Sequence, residues 1–283
     1  MAVATDLPLL GVGLGYRAPY RADVFQHRNQ LGFLEIIADH YLDPTWEQLA
    51  ELELLAAHFT LIPHAIGLSL GSADGIDDVY ARQLAVLVRR LSPPWWSEHL
   101  AFTRIGDLDI GHLTPLPRTG EAIDVVARNV ARIQQFIDVP LIIENSATLF
   151  EPPGELDEAA FINAVVTATD CGLLLDVANL HANAVNHGHD ARTVLAGIPL
   201  DRVVQVHVAG GHHHHGVLVD SHAHPPSVPV WDLLREVLER APVRGVILER
   251  DARLPPFAEL LAEIDQARTL WDAARLHIRA TAP

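Results

Sequence analysis

The chain has 283 residues, 49% of them hydrophobic and 20% charged, enough apolar material for one large core. Its formal net charge of −16 argues against a nucleic-acid partner held through phosphate contacts, which would need a basic face. The single cysteine, Cys171, excludes an intramolecular disulfide and any thiolate-rich zinc or iron–sulfur site, and no run of about 18 apolar residues is present to span a membrane.

In chain order, short apolar runs predict strands over 9–15, 33–38, 60–64, 95–99, 141–144, 173–176, 203–208 and 246–249. Helical patterns fall between them over 44–57, 77–91, 120–137, 157–169, 230–241 and 257–276, with ARTVLAGI giving only a short helix. Apolar strands that alternate with helices mean a parallel α/β fold whose sheet is covered on its outer face. Eight such strands favour a closed (β/α)8 TIM barrel, read as one domain over 1–283, above an open doubly wound sheet. The segment GVGLGY at 11–16 lacks the third glycine of a dinucleotide fingerprint, so its glycines are expected to serve a tight first strand. Trp95, Trp96 and the buried-type Cys171 are expected to pack. The longest irregular stretch is expected at 209–229, and His212–His215 within it as a solvated loop. The opening MAVATDLPLL has no basic region followed by an apolar core, so a cytoplasmic protein without a targeting segment is expected.

Six of the eight strands end on a residue that binds metals. His64 closes LIPH, His99 closes WWSEH, Glu144 closes LIIE and Asp176 closes LLLD; His207 sits in VVQVHV and Glu249 closes GVILE. A barrel gathers the carboxyl ends of its strands on one rim. A lone histidine at a strand end is usually structural, but chance would scatter six such residues between both ends and both faces. Asn179 follows Asp176 by three and would share its side of the chain. Asp220 and His222 alternate by two in DSH and would point the same way from an extended loop. The full set of candidate ligands is therefore His64, His99, Glu144, Asp176, Asn179, His207, Asp220, His222 and Glu249. Glu144, Asp176 and His207 are the candidates for the catalytic role. All offer nitrogen or oxygen and none sulfur, which suits zinc, manganese or non-haem iron. Nine ligands exceed the needs of one ion and imply two or three. Asp39, His40, His187 and Arg250 are candidates for contacts to substrate or to the ligands.

At these residues the chain resembles the multinuclear non-haem iron oxidative enzymes, the family that includes the methanobactin-maturing oxidase. The motifs that carry the resemblance, in order, are LEIIADHYL, PHAIGLSLGS, SEHLAF, TPLPRTGEAI, LIIENSA, LLLDVAN with AVNHG, VVQVHVAG, VDSHAHPPSVPVWDLL and LERD. The barrel also resembles xylose-isomerase-like enzymes and the trinuclear-zinc apurinic endonucleases. Where those endonucleases place a histidine three after the aspartate, this chain has Asn179, as the iron oxidases do. The departures are Asp39–His40, where many relatives carry an acidic–Asn pair, and the histidine-rich loop. The resemblance implies two or three mixed-valent iron ions, O2 as co-substrate and a ribosomally made precursor peptide attacked at cysteine. It also implies a small partner protein that delivers the peptide. Two other functions fit the same residues: a divalent-metal sugar isomerase or epimerase, and a zinc phosphodiesterase. Isomerases commonly move protons with lysine, and this chain contains none.

Overall fold

The computed structural model describes residues 6–106 and 108–281. The N-terminal residues that bear on a targeting segment lie in part outside it. Eight parallel strands close into a barrel: β1 (Gly11–Gly15), β2 (Leu34–Ile37), β3 (Leu61–Ala65), β4 (Trp96–His99), β7 (Leu141–Glu144), β8 (Gly172–Asp176), β9 (Val203–Val208) and β12 (Gly245–Leu248). β1 pairs with both β2 and β12, which seals the sheet. The expected strands are all present within a residue or two.

The helices are α1 (Arg21–Gln26), α2 (Trp46–Ala56), α3 (Asp78–Leu91), α4 (Gly120–Ile133), α5 (Glu158–Thr169), α6 (Val177–His187), α7 (Ala191–Gly197), α8 (Val228–Arg240) and α9 (Phe257–Thr281). Their starts are written in the sequence. Thr45, Asp77, Thr119, Asp157, Asp176 and Asp190 each accept a backbone N–H of the first turn, filling donors that a helix leaves open. Leu84, Val88, Val126, Val130, Leu234 and Leu260 turn inward from the helices onto the outward faces of the strands and form the main core. A second, smaller core fills the barrel interior at its amino end, built from Phe33, Ile62, Trp95, Ile142, Leu174, Val204 and Ile247. Gly13 makes room for that plug. A Cβ there would lie 2.3 Å from the Phe33 carbonyl oxygen and 2.9 Å from the Phe33 ring.

Two antiparallel hairpins grow from the rim, β5 (Ala101–Ile105) with β6 (Leu108–Pro115), and β10 (Gly210–His214) with β11 (Val217–His224). The second corrects the expectation of an irregular stretch at 209–229. His212–His214 form a strand, paired residue by residue with Val219, Leu218 and Val217 of β11 in an antiparallel ladder. Helix α6, directly behind Asp176, is also absent from the sequence expectations. No helix among the described residues is long and apolar enough to cross a membrane.

Candidate metal centre

The strand ends deliver their side chains into one chamber above the interior core. His64 Nε2 and His99 Nε2 each lie 3.4 Å from Glu144 Oε2. His207 Nδ1 lies 3.4 Å from Glu144 Oε1 and 3.0 Å from Glu249 Oε2. His222 Nδ1 stands 3.5 Å from Glu249 Oε2 and its Nε2 is 2.8 Å from Asp220 Oδ1. The ligand-type atoms fall into overlapping groups: His64, His99 and Glu144; Glu35, His207 and Glu249; Glu144, Asp176 and His207; Asp176, His222 and Glu249. Glu144, Asp176, His207 and Glu249 each belong to two of them and tie the groups together.

Four of these side chains, His64, Asp176, Asn179 and His207, are held by a second contact that leaves one atom for the chamber. His64 Nδ1 meets Ser97 Oγ at 2.8 Å, which turns Nε2 toward Glu144. Asp176 caps α6, its Oδ1 accepting from the backbone of Ala178 and Asn179 at 2.6 and 2.9 Å, so Oδ2 is left for the chamber. Asn179 donates through Nδ2 to the Asn145 carbonyl at 3.1 Å, which leaves its Oδ1 free. Asn145 itself ties β7 to β8, accepting from Asp176 N and donating to Asp176 O.

His207 is fixed from below by a relay across the barrel. Its Nε2 lies 2.9 Å from Glu35 Oε1, and Gln205 Nε2 donates to Glu35 Oε2 at 2.5 Å. Trp95 Nε1 donates to Gln205 Oε1 at 2.8 Å, and this sets which way the amide faces. A carboxylate on one ring nitrogen holds the other as a bare lone pair, an arrangement usual for metal-binding histidines.

Asp220 and His222 arrive by a different route. Between the pairs Gly210↔His224 and His212↔Val219, β10 advances two residues and β11 five. The surplus forms a bulge that carries Asp220, Ser221 and His222, with His222 at φ +47°. Bulges commonly re-aim side chains beside functional sites. Simple alternation along an extended loop, the sequence expectation, is replaced by this bulge.

The chamber holds surplus negative charge. Burial alone would raise the Glu144 carboxyl and lower the His99 imidazole, but their attraction outweighs it. Glu144 is held at about 2 beside His99 and His207, and His99 is lifted to about 9. Glu249 is likewise held well below its ordinary range against burial, by His207 and His222. Asp176 goes the other way, pushed well above the usual carboxylate range by burial and then by Asp220 and Glu144. A carboxylate driven toward neutrality among ionised neighbours marks a site that a cation would relieve. The unpartnered atoms agree. His99 Nδ1, Glu144 Oε2, Asp176 Oδ2, Asn179 Oδ1, His207 Nδ1, Asp220 Oδ1, His222 Nε2 and Glu249 Oε2 are all buried without a well-aligned hydrogen bond, His207 and His222 meeting Glu249 and Asp220 as ion pairs only. Buried polar atoms rarely go unpaired, and an oxygen and nitrogen set of this kind fits iron, zinc or manganese.

The remaining sequence candidates lie outside this cluster. Asp39 accepts from Ile66 N, Gly67 N and the Tyr80 hydroxyl, so it braces the turn after β3. His40 is exposed beside it. His187 Nε2 meets Thr148 Oγ1 at 2.8 Å. Arg250 is buried and directs its guanidinium to both carboxylate oxygens of Glu263 on α9. Sequence reasoning missed Glu35, Ser97, Gln205, Asn145 and Asp251, the last of which accepts from Arg17 and lies 3.0 Å from His222 Nδ1.

A cavity of about 310 Å³ opens over the cluster, walled by Arg17, His112, Leu149 and the bulge. Ile37, Ile66, His112 and Leu113 also line a second, neighbouring space of about 550 Å³ between Asp39–His40 and the β5–β6 hairpin.

Known proteins agree with this architecture. Among solved structures, D-psicose 3-epimerase superposes with a TM-score of 0.54 at 14% identity, over 95% of this chain and 98% of that one. The IOLI protein with a bound zinc atom gives 0.54 at 12%, over 96% and 100%. These are likenesses of barrel fold alone. In sequence, a UPF0276 protein of Rhizorhabdus wittichii is 37% identical over 272 residues, 95% of this chain and 97% of its own. Residues 11–272 match the family described as RiPP precursor modification enzyme MbnB/TglH/ChrH, and this chain belongs to that family.

Proposed function

We propose that the protein is an iron-dependent oxidoreductase that consumes O2 to modify a ribosomally made precursor peptide at cysteine. The observation that carries this reading is the set of eight buried ligand atoms that lack a well-aligned hydrogen bond, in a chain whose family modifies such precursors. His64, His99 and Glu144 would hold one ion; Glu144, Asp176, Asn179 and His207 a second; Asp176, Asp220, His222 and Glu249 a third where three are bound. Iron would supply the change of oxidation state that O2 chemistry requires and zinc lacks. Glu144, Asp176 and His207, the shared and central groups, would carry the catalytic role by fixing the ions and their charge.

The rest of the chain's part is positional. Ser97, Glu35 and Asn145 hold the ligand residues in place before substrate arrives, and Leu149, Ile66 and Leu113 wall the chamber with apolar surface against bulk water. The neighbouring space beneath the β5–β6 hairpin suits an extended peptide better than a monosaccharide, since it would take residues flanking the one attacked. A small partner that presents the peptide, and a cytoplasmic setting, complete the proposal.

The test is protein purified without oxygen or added metal, with metals counted per chain and O2 uptake followed with a cysteine-bearing precursor. Two to three irons, peptide-dependent O2 uptake and loss of oxidation in a Glu144→Gln variant that still binds peptide are expected. Zinc or manganese alone, without O2 uptake after iron reconstitution, would move the reading to isomerase, epimerase or phosphodiesterase chemistry.

A further inference from the structure

Outside the chamber, metal-binding side chains are densest on the β10–β11 hairpin. Strand alternation puts His212 and His214 on one face of β10 and His213 on the other. The His212 and His214 ring centres are 6.3 Å apart, and that of His224, at the end of β11, lies 5.6 Å from that of His212. His213 instead lines a separate cavity with His181 of α6. A tetrahedral ion bound to two imidazoles at about 2.0–2.1 Å sets their ring centres roughly 5 Å apart. Side-chain rotations of the exposed His214 toward the half-buried His212 and His224 would bring the three rings onto one ion.

His212 already has the bearing of a ligand. Its Nδ1 lies 2.9 Å from Ser221 Oγ, which leaves the other ring nitrogen as the donor available to a metal, the division usual for metal-bound histidine. Arg253 Nη1, 3.5 Å from His224 Nε2, sits on an exposed arm that can swing away. Ser221 belongs to the bulge that brings Asp220 and His222 into the chamber, so the hairpin face and the chamber share a mechanical element.

We propose that His212, His214 and His224 form a second metal site on the hairpin that takes one borderline divalent ion of the zinc, cobalt or nickel type. Imidazole ligands without thiolate or added carboxylate select this class. An ion there ties the start of β10 to the end of β11 across the bulge, and through Ser221 it restrains the segment that carries Asp220 and His222. The site stands whatever metal the chamber holds.

The experiment uses the full chain with its chamber metal in place, titrated with Co²⁺ followed by absorption and with Zn²⁺ followed by calorimetry. The wild type is expected to take one ion beyond the chamber content. His212→Ala, His214→Ala and His224→Ala are each expected to weaken that extra ion at least tenfold, with chamber metal and melting temperature unchanged. His213→Ala removes an imidazole from the same run but the opposite face, and is expected to leave binding intact. No extra ion in the wild type, equal weakening by His213→Ala, or no weakening by His224→Ala would overturn the site and leave only the general affinity of a histidine run.

Discussion

Glu35→Gln tests whether the chamber is tuned from beneath. Glu35 is buried and accepts twice, from Gln205 Nε2 at 2.5 Å and from His207 Nε2, which lies 2.9 Å away. A carboxamide of the same size keeps one acceptor and turns the other into a donor. Gln205 cannot turn over to compensate, because Trp95 holds its oxygen. One charge-assisted hydrogen bond is therefore lost, worth about 1.5–3 kcal/mol, and nothing then keeps the proton on Nε2 rather than on the Nδ1 that faces Glu144 and Glu249. At 1.4 kcal/mol per decade this predicts metal affinity roughly 10–100-fold weaker. The assay is competition with a chromophoric chelator for Fe²⁺, without oxygen, with metals counted by elemental analysis. The ion count should hold while affinity falls, and Trp95→Phe should move affinity the same way by less. Unchanged affinity in Glu35→Gln refutes the orienting role. Loss of an ion in His207→Ala, beside no change in Glu35→Gln, would refute the relay while leaving His207 a ligand.

Asp176→Asn should separate folding from metal binding. Asparagine still caps α6 and relieves the repulsion that drives Asp176 toward neutrality, so the metal-free variant is expected to melt no lower than wild type while metal content drops. A lower melting temperature in the metal-free state would contradict the surplus-charge argument. The pH dependence of the metal-free protein follows from His99, whose pKa is raised from 6.5 to about 9. Its contribution of about 3 kcal/mol is fully present below pH 6.5 and is lost as pH rises through 9. Thermal melts from pH 7 to 10 should fall for the metal-free form and fall less with metal bound, since metal binding has already displaced the proton; parallel curves would argue against it. Gly13→Ala should destabilise by about 1–3 kcal/mol through contact with Phe33, measured as a lower urea midpoint, and an unchanged midpoint would show that the interior core can yield.

Much of this molecule was legible because a parallel barrel converts sequence phase into position. His64, His99, Glu144, Asp176, His207 and Glu249 end apolar runs, and the barrel has only one place to put such ends. The supporting layer carried a fainter form of the same signal. Ser97 and Gln205 stand two residues before His99 and His207, so period two points them inward one layer deeper, and Glu35 is a charge inside the buried run LEII. Read by parity, each is a polar residue aimed at the barrel axis, where it must find a partner. The sequence reading stopped at the strand ends, and so missed the residues that orient them. Asn145 and Asp251 carried no such phase, since both lie beyond a strand, where the path of the chain decides what they meet.

The hairpin shows where periodic reasoning fails and what replaces it. In VLVDSHAH the alternation of apolar and polar residues does read as a strand, but the histidine run opposite suggested an unstructured loop. Pairing was decided by the backbone ladder, to which histidine side chains are indifferent once they face solvent. Within that ladder the surplus of β11 over β10 is what carries Asp220 and His222 away from the sheet and over the barrel mouth. A bulge is a difference in length between two paired segments, a property that neither segment shows alone. Asp220 and His222 thus depend on how two segments pair, while the six strand-end candidates depend only on phase. The bulged pair is accordingly the part of the chamber expected to loosen first when metal is removed, because no regular ladder spans it. Amide exchange at Asp220–His222 should quicken in the metal-free protein well before exchange in β7 or β8, and equal protection across all three would place the bulge within the rigid barrel.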